Sequence, residues 1–200
     1  MEPFIVHVGV GAPLRRTSVD TDQIIPARYL KNIGRTGFAE GLFAAWRESE
    51  DFVLNQRAYD GASVLVAGVD FGIGSSREAA VWALQDGGFR AVIAPRFGDI
   101  FRNNAAKSGL LAVRLGESEV ERLWDYLDAR PGATVTVDLD RCRVLAGEDF
   151  DEPFEVDEYV RWQLLNGLDE IATTLSSIDD IVAFEATRPP FKPRVTLDQL

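Results

Sequence analysis

Apolar positions along the chain follow two periods. Ser63–Val69 reads SVLVAGV between Gly61 and Asp70, and Phe89–Ala94 reads FRAVIA and stops at Pro95. Short, continuous, β-branched runs of this kind predict strands buried on both faces. Between them Ala79, Ala80, Ala83 and Leu84 recur at helical spacing, so a helix is expected from about Arg77 to Asp86, closed by Gly87-Gly88. The three pieces make a βαβ unit. A short helix near Asp99–Lys107, ending by Gly109, and a strand over Leu110–Val113 follow. Ser118-Glu119-Val120-Glu121 has the form of a capping box, and Val120, Leu123, Trp124 and Leu127 continue it at helical spacing. Pro131-Gly132 marks a turn before Ala133–Leu139, which alternates as a strand does. Helices are expected near Asp157–Leu165 and Ile178–Glu185, then a Pro-rich end at Pro189–Pro193. The first sixty residues read as strands and loops around a helical stretch near Phe38–Arg47. Trp124 and Trp162 are expected in core or interface packing.

Composition narrows the class. With 46 % hydrophobic and 26 % charged residues in 200, the chain suits a single globular domain, not a disordered one. No apolar run approaches the roughly 20 residues of a membrane span, and no signal peptide is visible, so a cytoplasmic protein without membrane contact is expected. One cysteine, Cys142, and one histidine, His7, exclude a disulfide framework and any cysteine- or histidine-rich metal centre held by this chain alone. The net charge of −11 is unevenly spread: residues 115–200 carry 8 basic and 20 acidic groups, whereas residues 61–114 carry 6 basic and 4 acidic. An acidic chain is a poor nucleic-acid binder, but its one positive stretch suits a small anion.

That stretch contains the segment richest in chemistry, Asp70-Phe71-Gly72-Ile73-Gly74-Ser75-Ser76-Arg77-Glu78, which joins a strand to a helix. Two glycines permit unusual backbone angles and close approach. Two hydroxyls and a guanidinium stand at a helix start, where free N–H groups and the helix dipole favour anions. Three readings are open from the pattern: a serine that merely caps the helix, an anion-binding loop, and a serine nucleophile. A phosphate loop of the Gly-x-x-x-x-Gly-Lys type is absent. A serine hydrolase needs a base beside the serine, which a lone histidine makes difficult. Carboxylate binding suits the cluster better than acyl transfer.

Asp70–Glu78 resembles the Gly-Ser-Ser-Arg-Glu signature of the swivelling domain of the aconitase superfamily. Thr21-Asp22-Gln23-Ile24-Ile25-Pro26-Ala27-Arg28-Tyr29-Leu30 resembles the Asp-Thr-Asp-x-Ile-Ile-Pro-Ala segment of that domain. Arg96–Asn104 resembles its Asp-Ile-Phe-x-x-Asn segment, with Gly109-Leu110-Leu111 following; the likeness continues through Phe38–Phe43 and Gly167–Phe184. A free-standing swivelling domain of this length is similar to the family of 3-isopropylmalate dehydratase small subunits.

The resemblance implies an α/β fold, an aconitase-like swivelling β/β/α domain with mixed sheet layers and helices. It would be one domain over residues 1–200 with a C-terminal helical extension from about residue 156. It implies a hydro-lyase that is active only with a large subunit. That partner would carry the [4Fe–4S] cluster, and this chain would hold no cofactor and no metal. The substrate would be a small dicarboxylate, 2-isopropylmalate, isomerised to 3-isopropylmalate by loss and return of water in leucine biosynthesis. Ser75 is then the expected base and Asp22 a second catalytic residue. Ser76 and Arg77 are expected to bind substrate carboxylate, and Arg28, Tyr29, Leu30 and Lys31 to form the loop that recognises the variable side group. Arg35 is a further cation without a place in the pattern. Ala79 stands where the family usually has His, and Ile73 where Cys is frequent. The first departure leaves open a paralogous small subunit acting on 2-methylmalate or homoaconitate. A non-catalytic module binding an anion or a protein is the reading of another class.

Overall fold

The computed structural model describes residues 1–30, 34–189 and 191. The chain runs β1 (Val6–Leu14), β2 (Val19–Asp20), α1 (Thr21–Ile24), β3 (Val64–Ala67), β4 (Phe71–Ile73), α2 (Glu78–Asp86), β5 (Ala91–Ala94) and α3 (Asp99–Ser108). It continues β6 (Leu111–Arg114), α4 (Glu117–Ala129), β7 (Thr134–Asp138), β8 (Arg143–Ala146), β9 (Phe150–Pro153), α5 (Glu158–Asn166), α6 (Glu170–Leu175) and α7 (Ile178–Ala186). Short 3-10 turns fill much of the stretch between α1 and β3.

Seven strands form one mixed sheet in the order β6-β5-β3-β1-β7-β8-β9. The β6, β5, β3 and β1 strands are parallel, and β1-β7, β7-β8 and β8-β9 pair antiparallel. A bridge between Arg114 and Glu155 joins the end of β6 to the segment after β9, so the two sheet margins curl toward each other. The expected βαβ unit is present as β3–α2–β5. Its strands are buried throughout because side chains alternate between two cores. Leu65, Ala67, Val92 and Ala94 enter a core shared with α2, α3 and the early turns. Val64, Val66, Ala91 and Ile93 enter a second core that includes Val120, Leu123 and Leu127 of α4. Trp124 packs beside that second core and donates its indole N–H to the Val66 carbonyl at 2.8 Å. Trp162 is exposed and stacks on Tyr159.

Two local expectations are corrected, and one open reading is closed. Phe38–Arg47 is a succession of turns, with a 3-10 piece at Ala39–Gly41, not a helix. Phe43 takes a φ of 51°, and its N–H leaves the local spiral to meet the Ile24 carbonyl at 2.8 Å. A residue in that region breaks a right-handed helix. The capping box at Ser118 does not form: the N-cap of α4 is Gly116, two residues earlier, and the Ser118 hydroxyl meets Glu119 instead. Neither Ser75 nor Ser76 caps α2, whose N-cap is Arg77 without a side-chain bond. The β8–β9 hairpin and α6 had no expectation attached to them.

Toward the end of the chain, α5 belongs to the body. Leu164 is buried, and its carbonyl accepts the Phe4 N–H at 2.8 Å. By contrast, α6 and α7 bury no residue. Among the described residues no helix is long and apolar enough to cross a membrane.

Candidate active site

Two loops from distant parts of the sequence lie side by side at the margin of the first core. They are joined by the short parallel pair β2-β4, in which Val19 faces Phe71 and Asp20 faces Ile73. Gly68 N–H donates to the Arg16 carbonyl at 2.9 Å, and Ser18 N–H donates to Val69 at 2.8 Å, extending the seam. The segment 19–22 is itself fixed by a capping box. Gln23 N–H donates to Asp20 Oδ1 at 2.8 Å, while Asp20 N–H donates to Gln23 Oε1 at 2.9 Å. Thr21, buried, donates its hydroxyl to the Ser75 carbonyl at 3.0 Å. That bond holds the second loop at Ser75.

The second loop is braced from behind by the connection between β5 and α3. Phe71 N–H donates to the Arg96 carbonyl at 3.0 Å, and Gly98 N–H donates to Phe71 at 2.9 Å. Gly72 has φ of 73°, and a Cβ there would stand 2.3 Å from Phe101 Cγ. Only glycine satisfies both the angle and the contact. Asp70 and Arg96 form a two-pronged ion pair at the foot of the loop, with one prong at 2.7 Å. The Arg96 hydrogen bond holds the Asp70 carboxyl below the ordinary carboxylate range.

On this frame the candidates converge. Ser75 and Ser76 are exposed, and among the described residues neither hydroxyl has a hydrogen-bond partner. Arg77 follows and donates to Asp22 Oδ1 across the seam. Its side chain is 20 % exposed, against 54 % for Asp22, so the guanidinium is confined while the carboxylate faces solvent. Sequence reasoning named Asp22 and Arg77 separately, and the fold makes them a pair.

The segment expected to recognise the side group divides. Arg28 is exposed, lies 3.7 Å from Glu48, and covers the Tyr29 ring. Tyr29 packs on Gly41, where a Cβ would come within 2.9 Å of it. Leu30 lines a depression of about 270 Å³ with Phe38, Ser76, Arg77, Glu78, Ala79 and Trp82. Lys31 lies outside the described residues. Arg35 stands over the Trp82 ring at 5.9 Å, and Phe38 packs against Trp82 at 5.6 Å. Phe38, Ala79 and Trp82 were not among the sequence candidates. The signal available was the spacing of Ala79 and Trp82, which puts both on the face of α2 that starts at Arg77.

A larger hollow, about 680 Å³, lies among Pro95, Arg114–Gly116 and Pro153–Glu155 and contains none of the candidates. Glu117, Glu119, Glu152 and Glu155 line it, which makes it a poor receptor for a dicarboxylate. Among the described residues no group of three or more His, Cys, Asp or Glu is placed to hold a metal ion. Cys142 is remote from the loop: its thiol donates to the Leu139 carbonyl at 3.4 Å. One cysteine in the whole chain does not fit a [4Fe–4S] cluster, which takes several cysteine thiolates.

Known proteins resemble the chain over nearly all of its length. The model of the aconitase C-terminal domain family matches residues 1–118, and one described as LeuD_N matches residues 121–158. A protein of Kineococcus radiotolerans named 3-isopropylmalate dehydratase small subunit is 61 % identical over 98 % of this chain and 97 % of its own. One of the same name from Acidothermus cellulolyticus is 62 % identical over 96 % of this chain and 98 % of its own. The crystal structure of a 3-isopropylmalate dehydratase protein from Methanocaldococcus jannaschii superposes with a TM-score of 0.68 at 27 % identity, over 90 % of this chain and 99 % of that one.

Proposed function

The chain belongs to the family of 3-isopropylmalate dehydratase small subunits, a hydro-lyase subunit with the swivelling fold, and from that premise we propose how its own residues serve the reaction. Dehydration takes a proton from a carbon beside a carboxylate and hydroxide from the neighbouring carbon, leaving a double bond between them. Rehydration returns both with the positions exchanged. Ser75 Oγ takes the proton and gives it back. A serine hydroxyl does not ionise near neutrality unaided, so it works through the positive potential of Arg77 and the start of α2. As the proton leaves, charge accumulates on a carboxylate that is already anionic. Ser76 and Arg77 stabilise that carboxylate where the charge grows. Asp22 orients the guanidinium and keeps it from folding away from the loop. Leu30 meets the side group, with Arg28 and Tyr29 beside it and Lys31 next in sequence.

The cluster expected for this chemistry belongs with the large subunit, and it would supply the electrophile for the departing hydroxyl. This chain supplies proton transfer and carboxylate binding, at a surface open enough for a second protein to close over it. The reading is carried by one observation: two unbonded serine hydroxyls exposed beside a confined arginine that is paired across two loops. Cytoplasmic assembly with that partner is part of the same proposal.

The test is reconstitution with the large subunit of a 3-isopropylmalate dehydratase and assay of the interconversion of 2- and 3-isopropylmalate. Turnover is expected from the mixture and not from this chain alone, and Ser75→Ala should lower kcat by at least about 10³-fold. Turnover by the isolated chain, or by a complex carrying Ser75→Ala, would overturn it.

A further inference from the structure

We propose that Trp82 is a specificity-determining residue of this subunit, forming with Phe38 and Leu30 the apolar wall against which the branched alkyl group of the substrate rests. The inference rests on the reading that Ser76 and Arg77 hold a substrate carboxylate. The depression of about 270 Å³ has two kinds of lining: the polar Ser76, Arg77 and Glu78, and the apolar Leu30, Phe38, Ala79 and Trp82. Its volume far exceeds the ~30 Å³ share of a water molecule. A carboxylate held by the polar residues leaves its attached carbon, with whatever alkyl group that carbon carries, to be met by the apolar ones.

The wall is stiff where it needs to be. Phe38 is fully buried in the first core, and its N–H is fixed to Asp86 Oδ2 at 2.8 Å. Trp82 is held against it at 5.6 Å between ring centroids, so the indole has a backing and a defined tilt of 37°. Ala79 lies one helical turn before Trp82 on the same face of α2. Its single methyl keeps the depression open between the indole and Arg77. The Leu30 and Phe38 side chains offer a hydroxyl or carboxylate no hydrogen bond, whereas an isopropyl group buries apolar surface against them. Substrates lacking the branch would leave the wall wet.

The test uses the assembled two-subunit enzyme and two substrates that share the malate skeleton, one bearing isopropyl and one bearing methyl. Ala79→Leu fills the depression from a half-buried position on α2, and Trp82→Ala removes the wall, with Trp82→Phe as the conservative rescue. Each of the first two is expected to lower kcat/KM for the isopropyl acid about tenfold or more beyond any fall for the methyl acid, mainly through KM, and Trp82→Phe to restore most of the ratio. Equal falls for both acids, or an unchanged ratio, would overturn the wall. Should Trp82→Ala fail to fold, the ratio in Ala79→Leu decides. Ser75→Ala in parallel separates the two ideas: an inactive Ser75→Ala complex with unmoved ratios in the α2 variants sinks the wall and leaves the serine reading standing. Turnover surviving Ser75→Ala sinks the serine base and leaves the wall to be decided by the ratios of the α2 variants, whereas an assembled enzyme inert on both acids sinks both.

Discussion

Asp22 and Arg77, 55 residues apart in sequence, meet as an ion pair that spans the seam between the two candidate loops. An exposed pair of this kind contributes little to folding, about 1 kcal/mol at most. Its value is geometric. Asp22→Asn should therefore leave the denaturant midpoint almost where it is, with a stability change below about 1 kcal/mol. If Arg77 binds substrate as proposed, the same substitution should lower kcat/KM of the assembled enzyme about 10²-fold, because the guanidinium loses its anchor. A large loss of stability with activity intact would assign the pair to folding instead.

Gly72 and Gly74 both have positive φ, at 73° and 90°, but they are not equivalent. A Cβ on Gly72 collides with Phe101 at 2.3 Å, whereas one on Gly74 meets nothing nearer than Asp20 Cβ at 3.5 Å. Gly72→Ala combines overpacking with backbone strain and should destabilise by about 2–4 kcal/mol. Gly74→Ala carries the strain alone, about 1 kcal/mol. Urea unfolding of the two variants checks the difference, and equal destabilisation would refute it.

These contacts show which parts of the molecule were legible in advance. The βαβ unit was readable because SVLVAGV and FRAVIA are too apolar to lie anywhere but inside a sheet, and Gly87-Gly88 marks the helix end locally. Ser75, Ser76 and Arg77 were readable because they share one short segment. The pairing of Asp22 with Arg77 was not, since it depends on the parallel β2-β4 seam, and two-residue strands leave no periodicity to read. The same holds for Phe43, whose positive φ comes from a tertiary bond to Ile24 and defeats the helical pattern around it. The β8–β9 hairpin alternates weakly, Arg143-Val144-Leu145-Ala146 against Phe150-Asp151-Glu152-Pro153, and was hidden among acidic residues. Trp82 could be placed on a helix but not beside Leu30, because the chain between them passes through irregular turns.

His7 gives the stability a pH dependence of known sign. Its Nε2 lies 2.8 Å from Ser63 Oγ. Burial, and then the charge of Arg90, holds its pKa below the usual histidine value of 6.5. The unfolded chain therefore binds a proton at higher pH than the folded one does. The stability that this neutral imidazole supports is present above pH 6.5 and is lost as the pH falls through the folded pKa. Urea titrations from pH 7.5 down to 5 should show falling stability, and the slope should diminish in His7→Gln. A stability that rises on acidification through this range would contradict the assignment.

The energy of the fold is concentrated before residue 168, and substitutions at the two ends of the C-terminal segment should show it. Leu164 is 1 % exposed, packs in the second core, and presents its carbonyl to Phe4, so α5 fastens the start of the chain as well as its own end. Removing its side chain leaves a void among residues that are already held in place, and Leu164→Ala should destabilise by about 2–5 kcal/mol. Ile171, on α6, is an apolar residue of similar size but is 71 % exposed. Little surface returns to water when it is truncated, so Ile171→Ala should change stability by no more than about 0.5 kcal/mol. Thermal unfolding of the two variants discriminates, because hydrophobicity alone predicts equal losses whereas burial predicts a several-fold difference. A comparable fall in both would mean that α6 is packed far more tightly against the body than its exposure indicates.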